Sequence, residues 1–376
     1  MLRAPRLEES GPFLMRTAAP TTGIPKTSTY RPVGARLATA TALLAPLLVL
    51  SLLVATSLGP TRIPYAASAA ILLERVGLRL NIPYTDLQQL IIMQVRLPRV
   101  LTGALVGAAL ALSGAALQGL FRNPVADPGV LGVSSGGAAG AVAAIALNLQ
   151  ALHPLVLAAA AFGGAMVAVT LVYATAAAGG RFSLAALLLA GLAVSSFLGA
   201  VTSTIIYFSA RDAEVLREIF FWLLGGLDAR SWAHVRLAAP PILLGAVVLL
   251  AFGRDLNLLL LGEEQARSLG VSVAWARRIL LVTTALITGV AVAVSGTIGF
   301  VGLIVPHLLR LIFGPDHRVL LPSAALGGAI FLILADTVAR VALAPTEMRL
   351  GIITAFLGAP FFLFLLIRAQ RQGALP

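Results

Sequence analysis

The stretch Gly107–Pro124, "GAALALSGAALQGLFRNP", is the best indicator of the fold. It recurs without gaps at Gly289–Pro306 as "GVAVAVSGTIGFVGLIVP". Small residues at helical spacing let the backbones of neighbouring membrane helices approach closely. The recurrence therefore indicates two related halves built around closely packed helices; chance similarity between two helices rich in small residues is the alternative. The coinciding positions are Gly107/Gly289, Ala109/Ala291, Ala111/Ala293, Ser113/Ser295, Gly114/Gly296 and Pro124/Pro306.

The rest of the chain has the composition of a membrane protein. Of its 376 residues 59% are hydrophobic and 11% charged, whereas soluble domains have about 45–50% and about 25%. Apolar runs separated by helix breakers are long enough to cross a bilayer as helices, and the alternating short segments of a β-barrel are not seen. We predict an all-α polytopic membrane protein with about ten transmembrane helices, or nine because the eighth run is short. The runs are 37–58, 90–119, 130–148, 154–178, 184–208, 234–253, 276–298, 303–314, 320–342 and 351–368.

The distribution of basic residues predicts the orientation. Ten spans place both termini on one side, and with the termini inside, 16 of the 27 basic residues lie on inner segments and 11 outside. This bias favours cytoplasmic termini. The two copies of the repeat then run in opposite directions, which is an inverted repeat of the kind that transporters use. The basic residues are scattered along loops rather than grouped on one face, so nucleic acid is not a predicted partner.

The ends of the chain differ from its apolar middle. Residues 1–35 are rich in Pro, Thr and Arg and lack the apolar core of a signal peptide. We predict a disordered cytoplasmic tail over 1–35, a transmembrane domain over 36–370 and a cytoplasmic C-terminal tail over 371–376.

The loop "FRNPVADPGVLGVSSGGAAGA", which begins at Phe121, resembles two kinds of catalytic loop. A phosphate-binding P-loop requires a lysine within the loop, and the only lysine of the chain is Lys26 in the tail. The loop is therefore not a Walker-type ATP-binding loop. The G-x-S-x-G pattern around Ser134 matches a nucleophile elbow, which needs a preceding strand and a histidine such as His307. An intramembrane serine protease is thus one rival function; capping of the third span by Ser134 or Ser135 is the structural alternative.

Four charged residues near the ends of spans have two explanations each. Asp336 lies four residues before Arg340 on one helical face, which favours an ion pair over a proton relay. An ion-coupled secondary transporter, which commonly carries several such acids, is the second rival function. Arg96, Arg99 and Arg340 fall on the outer side, where they either reach the interface as long side chains do or dock an acidic partner.

The segment "GEEQARSLGV" between the sixth and seventh spans has its acids first and its arginine last, as suits the dipole of a short helix. From the residues alone, this amphipathic helix is either a connector or a docking helix for a soluble partner.

From about Leu37 to Arg368 the chain resembles FecCD-type permeases, the membrane subunits of ABC importers for iron-siderophore, haem and vitamin B12. The resemblance rests on the quoted loop and on "RLPR", "LLLAG", "LGEEQARSLG", "SGTIGFVGLIVPHLLRL", "DHRVLLP", "LADTVAR" and "LGAPFF", in the family's order. It implies a type II importer permease in the bacterial inner membrane that works as a homodimer with two cytoplasmic ABC ATPase subunits and a periplasmic binding protein. It also implies a non-catalytic chain without a metal or cofactor of its own, with ATP and Mg on the partner ATPase.

The resemblance further implies roles for particular residues. The loop 254–275 would couple the permease to the ATPase through Gly262, Glu263, Glu264, Ala266, Arg267, Leu269 and Gly270. Docking of the binding protein would use Arg96, Arg99 and Arg340. A cytoplasmic gate would be formed by Asn123, Pro124, Val125, Ser183, Leu184 and Ala185. The wording of "FRNPVADPGVLGVSSG" favours haem as cargo, and "RFSLAALLLAG" departs from the polar version of vitamin B12 permeases.

Overall fold

The computed structural model describes residues 32–178, 184–344 and 346–371. Within these ranges every regular element is helical, so the predicted all-α class is confirmed. The α-helices are α1 Val33–Ser57, α2 Tyr65–Glu74, α3 Asp86–Leu90, α4 Leu97–Phe121, α5 Val133–Ala146, α6 Val156–Ala177, α7 Leu184–Phe208, α8 Ala213–Leu223, α9 Trp232–Ala251, α10 Gly253–Leu260, α11 Glu263–Ser268, α12 Val273–Ser295, α13 Val301–Phe313, α14 His317–Val341 and α15 Leu350–Arg371.

Each predicted apolar run overlaps at least one of these helices. Seven helices of the described residues are long and apolar enough to span a membrane: α1, α6, α7, α9, α12, α14 and the continuous helix formed by α3 and α4. The remaining three runs correspond to α5, α13 and α15. With 14 and 13 residues, α5 and α13 are shorter than the roughly 20 residues that cross the hydrocarbon core. The 1–35 tail lies almost entirely outside the described residues.

The first copy of the repeat forms most of α4, the second begins in α12, and the following helices repeat as well. From α4 to α7 the lengths are 25, 14, 22 and 25 residues, and from α12 to α15 they are 23, 13, 25 and 22. The copies differ at one point, because Gly114 continues α4 whereas Gly296 ends α12 with a φ of 69°. The second copy is therefore broken into the end of α12, a short connection and α13.

The helix α4 is buried along most of its length, and two of its glycines contact the backbones of other helices. A Cβ atom at Gly107 would collide with the carbonyl oxygen of Gly328 in α14, and one at Gly114 with that of Gly302 in α13. The close approach predicted from the small residues is confirmed. Contacts of this kind provide the van der Waals packing that holds membrane helices together.

We predict that Gly114→Ala lowers the free energy of unfolding by about 1–3 kcal/mol, because α4 and α13 must separate to admit the methyl group. Unfolding of the purified protein in detergent measures this effect. Gly163→Ala in α6 is the matched control, since no heavy atom lies within 4 Å of its added Cβ. Equal unfolding of both variants and the wild type would contradict the packing described here.

Candidate functional site

Charged and buried polar side chains collect at both ends of the helical bundle. The helix α12 begins after α11, and its last residue, Ser295, accepts a hydrogen bond of 2.8 Å from the N–H of Gly226, just after α8. The helices α8 and α11 therefore lie at opposite ends, which are named the α8 end and the α11 end.

At the α8 end, Arg99 of α4 connects three carboxylates. Its Nε donates to both oxygens of Asp336 at 3.1 Å, and its Nη2 donates to the same group at 2.8 Å. Its Nη1 donates to Glu347 at 2.9 Å, and Asp228 lies 3.6 Å from Nη2. These carboxylates belong to α14, the α14–α15 connection and the α8–α9 connection, so one guanidinium ties together three segments that are distant in sequence.

Arg340 of α14 completes this cluster. Its Nε lies 3.0 Å from Asp336, which confirms the ion pair predicted from the four-residue spacing. Its other nitrogens donate to the carbonyl oxygens of Ala55 and Leu58 at 3.0 and 3.1 Å, at the end of α1. Asp336 is only 2% exposed, and it is neutralised by guanidinium groups from two helices.

Arg96 lies in the π-helical turn Ile91–Arg96 that joins α3 to α4. It donates to the carbonyl oxygens of Thr56 and Ser57 at 2.8 and 2.7 Å and to that of Thr61. Carbonyl groups at the end of a helix lack partners within the helix, and a positive charge there is stabilising. Arg96 therefore holds the end of α1.

The structure brings the three sequence-predicted docking arginines to one end of the bundle but turns them inward. Arg96, Arg99 and Arg340 are 5%, 9% and 3% exposed, and their partners belong to this chain. Buried carboxylate and carbonyl oxygens of this chain bind the three guanidinium groups, which do not extend into the interface as long exposed side chains would. Their docking role stays a prediction.

A cavity of about 120 Å³ lies beside this cluster, bounded by α8 and the two charged connections. The guanidinium of Arg349 stacks 3.7 Å above the ring of Phe221 and pairs with Asp228. Arg230 donates to the carbonyl oxygen of Val294 at 2.5 Å. The sequence reasoning missed these groups, although "GLDAR" and "TEMR" place opposite charges in short segments beside apolar runs.

We predict that Asp336→Asn lowers the free energy of unfolding by about 3–5 kcal/mol, because it leaves two buried guanidinium groups without their shared carboxylate. Denaturant unfolding in detergent measures the loss. The control is Glu214→Gln, which removes the same charge from an exposed residue and should change the free energy of unfolding by less than about 0.5 kcal/mol. A loss for Asp336→Asn as small as for the control would show that the cluster is not an energetic centre.

At the α11 end, the short amphipathic helix predicted from "GEEQARSLGV" is confirmed as α11. Gly262 and Gly270, with φ of 118° and 88°, turn the chain at its two ends. Ala266 is fully buried, and Glu263 pairs with Arg277 at the start of α12. The opposite face is exposed and carries Glu264, Arg267 and Leu269.

The predicted gate residues fall on two separate segments. Asn123, Pro124 and Val125 are exposed after the left-handed residue that ends α4, and the Asn123 Oδ1 accepts from the Val125 N–H at 3.0 Å. Leu184 and Ala185 begin α7, while Ser183 lies outside the described residues. The loop that contains the first segment packs on α7, since a Cβ at Gly191 would collide with the Val130 carbonyl oxygen.

The expectation that Ser134 or Ser135 caps the third span is wrong. The N-cap of α5 is Gly132, with a φ of 79°, and no side chain caps it. Asp127 provides the cap of this loop instead, where its Oδ1 accepts from Gly129 at 2.8 Å and starts a 3₁₀ turn. Ser134 thus lies in the first turn of a helix that follows a helical turn, without the preceding strand of a nucleophile elbow.

Together, the helical bundle, its repeated halves and its two polar ends define a polytopic membrane protein. Residues 47–368 match the model of the FecCD transport family. The chain belongs to this family, as the sequence motifs predicted.

Individual relatives agree with this placement. The chain is 51% identical over 289 residues, 77% of its length and 76% of the relative's, to the cobalamin import system permease protein BtuC of Halobacterium salinarum. It is 46% identical to the hemin transport system permease protein HmuU of Yersinia pestis, over 74% of this chain and 84% of that one. A solved inward-facing structure assigned to the metal-chelate type of ABC transporter matches with a TM-score of 0.75 and 36% identity, covering 88% of this chain and 99% of that chain.

Proposed function

We propose that this chain is the transmembrane permease subunit of an ATP-driven importer in a bacterial inner membrane. The observation that carries this function is the family match over 47–368, together with relatives that are themselves import permeases. In this proposal two copies form the transport path, both termini are cytoplasmic, and two ABC ATPase subunits bind at the α11 end. A periplasmic binding protein delivers the cargo at the α8 end.

The cargo proposed is a large metal chelate. The named relatives include permeases for cobalamin and for hemin, and both compounds are large metal complexes of this class. The loop motif "FRNPVADPGVLGVSSG" favours haem as cargo, whereas the 51% identity to a cobalamin permease favours a corrinoid. Ferric siderophores are the third member of the cargo set.

The mechanism requires movement and no bond-making by this chain. ATP and Mg would be bound by the partner ATPase, whose closure would displace α11. Because Glu263 of α11 pairs with Arg277 of α12, displacement of α11 acts directly on a membrane-spanning helix. Rigid-body displacement of packed helices is an established way to switch a path between two states. The exposed Asn123–Val125 segment would narrow the cytoplasmic exit.

Uptake by the complete complex in liposomes tests this function. Proteoliposomes with the permease, its ATPase subunits and its binding protein would be offered haem, cobalamin and a ferric siderophore in turn. The proposal predicts uptake that requires ATP inside the liposomes and persists without an ion gradient. Uptake driven by an ion gradient alone would support the secondary transporter, and proteolysis lost on Ser134→Ala would support the protease.

We predict that Leu269→Arg prevents co-purification of the ATPase and abolishes ATP-driven uptake, because a charge replaces an apolar side chain on the proposed ATPase contact. Leu269 is 52% exposed, so its replacement should leave the thermal unfolding of the permease unchanged. Leu78→Arg, at a residue 59% exposed at the other end of the bundle, is the control for assembly. Normal ATPase binding by Leu269→Arg would remove α11 from the interface.

Docking at the α8 end would require acidic groups of the binding protein to replace partners within this chain. Glu347 is the more accessible partner of Arg99, with its side chain 31% exposed, compared with 3% for Asp336. An incoming carboxylate would thus exchange with Glu347 while Asp336 keeps Arg99 in place.

We predict that Glu347→Gln strengthens docking about 1.4-fold to fivefold, since a partly exposed ion pair contributes roughly 0.2–1 kcal/mol. Titration of the binding protein onto the reconstituted complex measures the dissociation constant. Glu214→Gln should leave it unchanged. Weaker docking of Glu347→Gln would contradict the exchange and indicate that Glu347 supports the docked state.

A further inference from the structure

A network of hydrogen bonds at the α11 end joins α10 to α14 through one amide side chain. Asn257, in the middle of α10, donates from Nδ2 to the Oδ1 of Asp316 at 2.6 Å. Its Oδ1 accepts from the backbone N–H of His317 at 2.8 Å and lies 2.9 Å from Nδ1 of the same residue. One side chain of α10 thus binds the N-cap residue and the first residue of α14.

The chemistry of these partners determines the orientation of each group. A carboxylate only accepts, so the Asn257 amide must present its NH₂ to Asp316 and its oxygen to His317. Nδ1 of His317 therefore carries the ring proton. Hydrogen bonds from Arg318 and Asn257 lower the pKa of the Asp316 carboxyl to about 2, so this acceptor is ionised at physiological pH.

The same histidine also contacts α4. His317 is 2% exposed, and a Cβ at Gly119 would lie 2.5 Å from its Nε2 and 3.2 Å from Cδ2 of Leu256 in α10. Gly119 belongs to the last turn of α4, four residues before Asn123, where the predicted gate segment begins. The imidazole ring and Leu256 therefore pack directly on the end of the helix that leads into this segment.

A second contact fixes the same turn of α4 from the other side. Gln118 donates from Nε2 to the carbonyl oxygen of Gly302 in α13 at 3.0 Å, and its Oε1 accepts from Arg310 at 2.8 Å. The end of α4 is thus held between α13 and the α10–α14 pair. Movement of α10 relative to α13 must change the forces on this turn.

We infer that Asn257 is a positioning residue that transmits displacement of α10 and α11 to α14 and, through His317, to the end of α4. This inference rests on the proposed function, in which the ATPase acts at α11. The helix α10 ends at Leu260 and α11 begins at Glu263, so the two short helices are separated by only two residues. The amide is the polar connection that makes the start of α14 follow them.

The test measures transport and ATP hydrolysis in the same proteoliposomes. In Asn257→Ala, uptake per ATP hydrolysed should fall at least fivefold, while ATP hydrolysis, assembly with the ATPase and thermal unfolding stay close to wild type. Asn81→Ala, an exposed asparagine between α2 and α3, is the matched control and should keep the wild-type ratio.

A reciprocal exchange separates positioning from general stability. Asn257→Asp alone places a second carboxylate next to Asp316, and the repulsion should also lower the uptake per ATP hydrolysed. Asn257→Asp combined with Asp316→Asn restores a donor and an acceptor with their roles reversed, keeps a good N-cap residue for α14, and should recover the ratio to within twofold of wild type. The double variant retains the hydrogen bonds, so it tests the inference even where Asn257→Ala folds poorly.

The outcomes are distinct. Two results would overturn the inference alone, provided that the wild-type complex shows ATP-driven uptake. One is undiminished uptake per ATP hydrolysed in Asn257→Ala. The other is a double variant that folds and assembles but does not recover uptake per ATP hydrolysed. Absence of ATP-driven uptake by the wild-type complex would overturn the proposed function, and the inference with it.

Discussion

Direct contact between helix backbones at α4 is the constraint on which the rest of the structure depends. Gly107 and Gly114 bring α4 against the carbonyl groups of α14 and α13, at distances that no larger residue permits. Because α4 is enclosed in this way, its two ends occupy fixed places in the bundle. Arg99 at one end and the Gln118–Gly119 turn at the other are thereby aimed at their partners.

The two ends of the bundle use different chemistry. At the α8 end, Asp336 is buried between two guanidinium groups, and removing one member of such a cluster is costly. At the α11 end, the amide of Asn257 joins α10 to α14 by donating to the ionised carboxylate of Asp316 and by accepting from the backbone N–H of His317. A single hydrogen bond between neutral groups contributes about 0.5–1.5 kcal/mol, and one to a charged group about 1.5–3 kcal/mol. Each single hydrogen bond of Asn257 should therefore cost less to break than the about 3–5 kcal/mol expected for the buried cluster at the α8 end.

Much of this architecture is local and could be predicted from the sequence. Apolar runs specify the helices, small residues specify the close contacts, and the spacing of Asp336 and Arg340 specifies an ion pair on one helical turn. The pairing of Arg99 with Asp336 joins residues 237 positions apart, and that of Asn257 with Asp316 joins residues 59 apart. No periodicity encodes such pairs, because they depend on how the helices pack. For the same reason, the buried state of the three arginines was not predicted.

In the proposed function the α8 end lies at the outer face and the α11 end in the cytoplasm, and the orientation of the chain tests this most directly. The 376 residues include no cysteine, so a single introduced cysteine can be labelled without background. Asn81→Cys marks the connection between α2 and α3, and Ser268→Cys marks the exposed face of α11. A membrane-impermeant maleimide should label Asn81→Cys in intact spheroplasts and Ser268→Cys only after permeabilisation. Labelling of Ser268→Cys from outside, with Asn81→Cys protected, would contradict this orientation.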